Sequence, residues 1–134
     1  MIYWEDSFAR VTFERDVPAV MIQWLSYATS QQFRTAIKKE LEAYEHFLRE
    51  HKKLHWIAET TRMIGVGHED IEWVASELNP RMYKAGLRYM AVVLPQSAFA
   101  KMSVDDYVQF TDQKQIEIRN FGNLSDAKSW LKTK

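Results

Sequence analysis

Three of the four histidines, His46, His51 and His55, fall five and four residues apart, the kind of clustering that a metal site requires. The first two sit near the end of a helical stretch and the third inside a strand. No carboxylate is placed to orient the rings, so the spacing predicts surface or core imidazoles and no metal ligands. His68-Glu69-Asp70 opens another predicted helix, where unpaired backbone N–H groups and the positive dipole end are found. Glu69 and Asp70 complement that dipole. His68 or Asp70 could also act as acid or base, yet no nucleophile stands at a recognisable spacing and the HExxH pattern is absent. No catalytic residue, no metal and no cofactor is therefore assigned.

Gly65-Val66-Gly67 precedes the same helix and could cradle an anion, but a bare GxG without a following GK[ST] reads as a tight turn. Glu59-Thr60-Thr61-Arg62 is predicted at the carboxyl end of a strand, where open α/β sheets place binding sites. Thr60, Thr61 and Arg62 thus form a candidate regulatory or anion-binding loop, their hydroxyls either accepting a phosphoryl group or satisfying the loop backbone. The five tryptophans and six methionines could line a pocket for an apolar ligand, although most fall on inward positions and read as core. Trp73 lies off the stripe of Ile71, Val74, Ala75 and Leu78. With His68 and Asp70 it makes a candidate groove or interface.

The elements that position these residues follow from periodicity. Ala9 to Glu14 alternates, with Ala9, Val11 and Phe13 on one face, as a half-buried strand does. Arg15-Asp16-Val17-Pro18 is a turn, and the apolar run from Val20 to Leu25 is a strand covered on both faces. Thr29 or Ser30 caps a long helix whose stripe is Phe33, Ile37, Leu41, Tyr44 and Leu48. Leu54 to Ala58 is a third strand, followed by a loop to Gly67 and a helix from His68 or Glu69. Pro80 either starts a short further helix or breaks this one, and Gly86 stops it. Tyr89 to Leu94 is a fourth strand, Ser103 caps a helix, Ile116 to Phe121 is a fifth strand, and Ser125 caps a last helix.

This order predicts a single α/β domain over residues 1–134: a mixed sheet of about five strands, opened by an antiparallel hairpin and followed by β-α alternation with about four helices. A Rossmann unit is excluded, because Ser26-Tyr27-Ala28-Thr29-Ser30-Gln31 after the strand holds no glycine. Eighteen basic residues balance eighteen acidic ones, and Lys38, Lys39, Lys52 and Lys53 sit amid Glu40, Glu42, Glu45 and Glu50. Those charges read as a solvated helix face and predict no nucleic-acid partner. No cysteine is present, the N-terminus lacks a signal-peptide pattern, and no apolar run approaches bilayer length, so a cytoplasmic protein without stable membrane insertion is expected.

Several of these residues, in order and spacing, resemble the STAS-type domains of anti-sigma factor antagonists, and more closely the bacterial STAS-like branch of that family. They are Trp24 followed by Ser30 and Phe33; Glu59, Thr61 and Arg62 after a strand; Glu69-Asp70 and Trp73; Pro80 and Gly86; Ala91-Val92-Val93-Leu94-Pro95; and Phe121 with Ala127, Trp130 and Leu131. The resemblance covers most of the chain. It implies a non-enzymatic regulatory module that binds a protein partner, or, as in a related group, an apolar small ligand or lipid. In the antagonists a serine at the helix start after the third strand is phosphorylated. This chain instead reads Gly67-His68-Glu69-Asp70, whose carboxylates would oppose a phosphate. Two strands apolar on both faces, with Phe8 and Trp73 left without an internal role, predict a homodimer that shields the sheet.

Overall fold

In the computed structural model, which describes residues 1–134, the predicted hairpin is β2 (Ala9–Glu14) against β3 (Ala19–Trp24), with Ala9 opposite Trp24 and Glu14 opposite Ala19. An additional strand, β1 (Ile2–Glu5), pairs antiparallel with β2, so the sheet has six strands where about five were expected. It is an edge strand of four residues with a register shift between Ile2 and Trp4. Its half-exposed side chains give no clean alternation for periodicity to detect.

Helix α1 (Ser30–Leu48) begins at a capping box: Thr29 Oγ1 accepts from the Gln32 N–H, and Gln32 Oε1 accepts from the Thr29 N–H. It leads to β4 (His55–Glu59), parallel to β3 with Val20 opposite Trp56 and Ile22 opposite Ala58. A continuous helical run follows, made of α2 (His68–Trp73), a π-helical segment (Val74–Leu78) and α3 (Asn79–Ala85). The Asn79 N–H reaches back to the Val74 carbonyl. Pro80 accounts for this widening, since its ring would collide with the carbonyl four residues earlier in a regular helix. Pro80 therefore starts α3 within a run that does not break, and Gly86, at φ 119°, ends it.

The chain then forms β5 (Tyr89–Val93), α4 (Ala98–Phe110), β6 (Glu117–Phe121) and α5 (Leu124–Lys132). Ser97, not Ser103, caps α4, and Asn123, not Ser125, caps α5. Strand order is β1-β2-β3-β4-β5-β6, antiparallel to β3 and parallel beyond. Parallel crossovers that advance one strand at a time with one hand put their helices on one face. Accordingly α1, the α2–α3 run and α4 share the main core with Val11, Ile22, Trp56 and Val92.

The other face holds a smaller cluster in which Ala127 and Leu131 of α5 pack on Met21, Ile57, Ala91 and Val93. The closing helix thus supplies cover that was expected from a second copy. Phe8 is buried in the main core, edge-on to Trp4. Trp73 packs against the same core, half-buried, under the Arg34 guanidinium at 4.7 Å. No helix is long and apolar enough to cross a membrane.

Candidate functional site

Alternate residues of three neighbouring parallel strands floor a cavity. Ile22 of β3, Trp56 and Ala58 of β4, and Met90 and Val92 of β5 face the helices across it. Ala58 is the small residue in this floor, with Ile22 and Val92 opposite it on the two adjacent strands. α1 contributes Phe33, Ile37 and Glu40, the helical run Ile71 and Val74, the β4–α2 loop Met63 and Val66, and α4 Ser103, Val104 and Tyr107. The cavity measures about 60 Å³, roughly two water volumes at about 30 Å³ each. Fourteen of its seventeen lining residues are hydrophobic.

The polar exceptions are Thr60, Ser103 and Glu40. Thr60 Oγ1 donates to the Val93 carbonyl at 2.5 Å. Ser103 Oγ accepts from the Val66 N–H at 3.0 Å and donates to the Val66 carbonyl at 3.1 Å, stapling the loop to α4. The Tyr107 hydroxyl donates to Asn79 Oδ1 at 2.8 Å. These hydroxyls are engaged.

Glu40 is different. It follows Phe33 by seven residues and Ile37 by three, which puts it on the buried stripe of α1 and not on the solvated face assigned to it from charge alone. It is 1% exposed, and its Oε2 is sealed from solvent without a hydrogen-bond partner. Burial pushes its pKa well above the ordinary carboxyl value, favouring the neutral acid. Trp56 Nε1, in the same cavity wall, is also buried and without a partner. Trp56 is one of the tryptophans considered from sequence as pocket lining, whereas Glu40 is not expected at a site. The available signal was the helical phase of position 40, a carboxylate inside an apolar stripe.

The residues predicted as sites lie around this cavity without converging on it. Thr60 is the one that reaches it. Thr61 donates to Glu59 Oε1 from its N–H at 2.9 Å and also from its hydroxyl, and Glu59 Oε2 accepts from Gln23 Nε2 at 3.1 Å. Both threonine hydroxyls therefore satisfy the loop and strand ends. Arg62 is exposed. Gly65 adopts φ 153°, and the Phe99 ring lies where a side chain at that position would project.

Buried Asp70 accepts from Ser30 Oγ and from Arg34 Nε, each at 2.8 Å, so with Trp73 beneath Arg34 it braces α2 against the first turns of α1. His68 is exposed instead. It lies 3.8 Å from both Glu72 and Asp106 and edge-on to Phe110. His46 packs on Tyr3 and Phe47, His51 on Phe13, and His55 on Tyr89. No three His, Asp or Glu side chains are grouped to hold a metal ion. His55 Nδ1 lacks a partner too, but Tyr89 and the α5 side of the sheet enclose it, away from the cavity. Burial, with Lys53 nearby, lowers its pKa.

No protein-family model matches the chain, and neither curated proteins nor solved structures give a match.

Proposed function

We propose that the chain is a non-enzymatic binding domain whose cavity receives a small, mainly apolar ligand. The observation that supports this is the unpartnered carboxyl of Glu40 in an otherwise apolar enclosure. Buried polar groups in folded proteins are ordinarily hydrogen-bonded, so an exception calls for an explanation, and a functional role is one. The π-helical segment that supplies Val74 to the wall is a second feature of the same kind, because such segments are rare and frequent at functional sites.

An apolar probe tests the reading. Xenon applied under pressure should produce saturable shifts at the methyl groups of Ile22, Ala58 and Val92. Ala58→Val, which extends the floor into the cavity, should abolish them. Shifts that never saturate in the wild-type protein would overturn the proposal.

A second reading, a cytoplasmic regulatory interaction module of the bacterial STAS-like kind, draws on a different observation. Phe99, Met102 and Phe110 are exposed on α4, at spacings of three and eight residues that place them on one face, and Ile64 is exposed in the loop beneath Phe99. Exposed apolar residues arranged in a stripe mark an interaction surface. Self-association as a homodimer through this stripe belongs to that reading.

A further inference from the structure

Two buried polar atoms without partners, Glu40 Oε2 and Trp56 Nε1, belong to residues that line one cavity. Neither polar function serves the fold. A leucine at position 40 would continue the stripe of Phe33, Ile37 and Tyr44, and a phenylalanine at position 56 would keep an aromatic ring between Val20 and Met90. Unpaired buried groups destabilise a protein, so two of them on residues of one cavity lining point to a partner that the chain itself does not supply.

We propose that the cavity selects a small uncharged molecule bearing a hydroxyl or comparable oxygen group on a short hydrocarbon body, with the Glu40 carboxyl as its polar anchor and the Trp56 indole N–H as a second donor. This assignment rests on the ligand-binding reading above. Size sets the first limit, since about 60 Å³ admits only a few heavy atoms. Charge sets the second. No lysine, arginine or histidine lines the cavity, so an anion such as a carboxylate would be buried without a counterion.

An ammonium group would require desolvating both members of an ion pair in an otherwise apolar lining. A neutral carboxyl both donates and accepts, which is what a hydroxyl complements, while the indole N–H can only donate. Apolar surfaces from Ile22, Ala58 and Val92 then hold the hydrocarbon body.

The experiment compares ethanol, ethane, acetate and ethylammonium by methyl and indole N–H NMR shifts, with xenon as an independent reporter of the cavity. Wild-type protein should bind ethanol roughly tenfold more tightly than ethane, the ratio that one net hydrogen bond supplies, and should take up neither ion. Glu40→Leu should lose the preference for ethanol while still admitting xenon. Glu40→Gln, which keeps a donor and an acceptor, should retain it, and Trp56→Phe should weaken it. Equal affinity for ethanol and ethane, a preference that survives in Glu40→Leu, tighter binding of either ion, or exchange of water only would each overturn the assignment. Xenon entry without a hydroxyl preference sinks this inference alone, whereas exclusion of xenon sinks the ligand-binding reading with it.

Discussion

The Tyr107 hydroxyl donates to Asn79 Oδ1 at 2.8 Å, which joins the last turn of α4 to the residue where the π-helical segment passes into α3. Asn79 Nδ2 donates to Thr111 Oγ1 at 2.9 Å, and that hydroxyl donates to the Tyr107 carbonyl at 2.8 Å, closing a buried ring of three residues. Its position matters because Val74 and Tyr107 both line the cavity. The ring holds two walls of the enclosure at a fixed separation.

Asn79→Ala leaves a buried phenol and a buried threonine hydroxyl each short of one partner. At roughly 1–3 kcal/mol for each unsatisfied group, the expected loss is about 2–6 kcal/mol, read from the urea midpoint at unchanged slope. A loss below about 0.5 kcal/mol would show that the ring contributes little to holding α4 on the π-helical segment.

Glu40 makes a pH prediction with a definite sign. Its carboxyl ionises near 4.5 in the unfolded chain, while burial raises its value well above that in the folded protein. Between the two values the unfolded state binds fewer protons, so the contribution of Glu40 is full below pH 4.5 and is lost as pH rises toward the folded value. The slope from this group is about 1.4 kcal/mol per pH unit. Glu40→Gln should flatten that decline and Glu40→Leu should be more stable than wild type at neutral pH, both by chemical denaturation at several pH values. Parallel pH profiles for wild type and Glu40→Gln would contradict the burial argument.

Much of the framework was legible from periodicity because its elements are long or cleanly phased. The stripe of α1 and the alternation of β2 place side chains as expected, with Phe13 stacked on Phe47 at 4.2 Å. Capping was legible only to within a residue at α1, where Thr29 and not Ser30 is the cap, and not at α4, which starts at Ser97 while Ser103 staples the helix to Val66. β1 escaped because an edge strand of four residues carries no face that burial enforces. Glu40 is not legible as a site residue because its charge points to solvent while its helical phase points inward, and its environment is made by β4 and α4, which are far away in sequence. Local pattern locates such a residue but does not show that the opposing wall offers it no partner.

Thr60 and Thr61 should be unmodified in protein isolated from its native cell. The Thr60 hydroxyl is buried and bonded to the Val93 carbonyl, and the Thr61 hydroxyl is bonded to the Glu59 carboxylate, beside which a phosphate would place like charges. Mass spectrometry of the peptide spanning this loop checks it. Stoichiometric phosphate on either residue would restore the regulatory loop expected from sequence.

Lys128 ties α5 to the β2–β3 hairpin, its Nζ lying 2.7 Å from Glu14 Oε1 and 3.4 Å from Asp16 Oδ1. Partial burial opposes ionisation of Glu14, but hydrogen bonds from Lys128 and Thr12, with the charges of Lys128 and the N-terminus, together outweigh it and hold its carboxyl below the ordinary value. A depressed carboxyl contributes stability above its unfolded value, 4.5, and loses it as pH falls further. Lys128→Met should cost about 1 kcal/mol at neutral pH and less in acid, with faster amide exchange in α5 than in α1. Unchanged exchange in α5 would show that Ala127 and Leu131 hold the helix by packing alone.

Self-association is expected through α4. Phe8 is buried and α5 covers the second face, so neither calls for a second copy. The α4 stripe is the exposed apolar surface that a second copy would cover. Phe99 is 67% exposed and Met102 63%, and Asp106, between them and Phe110, lies 3.8 Å from His68. A two-fold axis across α4 would bury Phe99 and Met102 against their own copies, and the zero net charge of the chain offers no long-range repulsion to prevent it. Sedimentation equilibrium at micromolar concentration should give about twice the 15.9 kDa chain mass. Phe99→Glu combined with Met102→Glu should restore the single-chain mass at nearly unchanged stability, because both side chains are exposed in one copy. A mass of 15.9 kDa for the wild-type protein would overturn the dimer and leave the stripe to a different partner. A dimer that survives the double substitution would place the contact elsewhere on the surface.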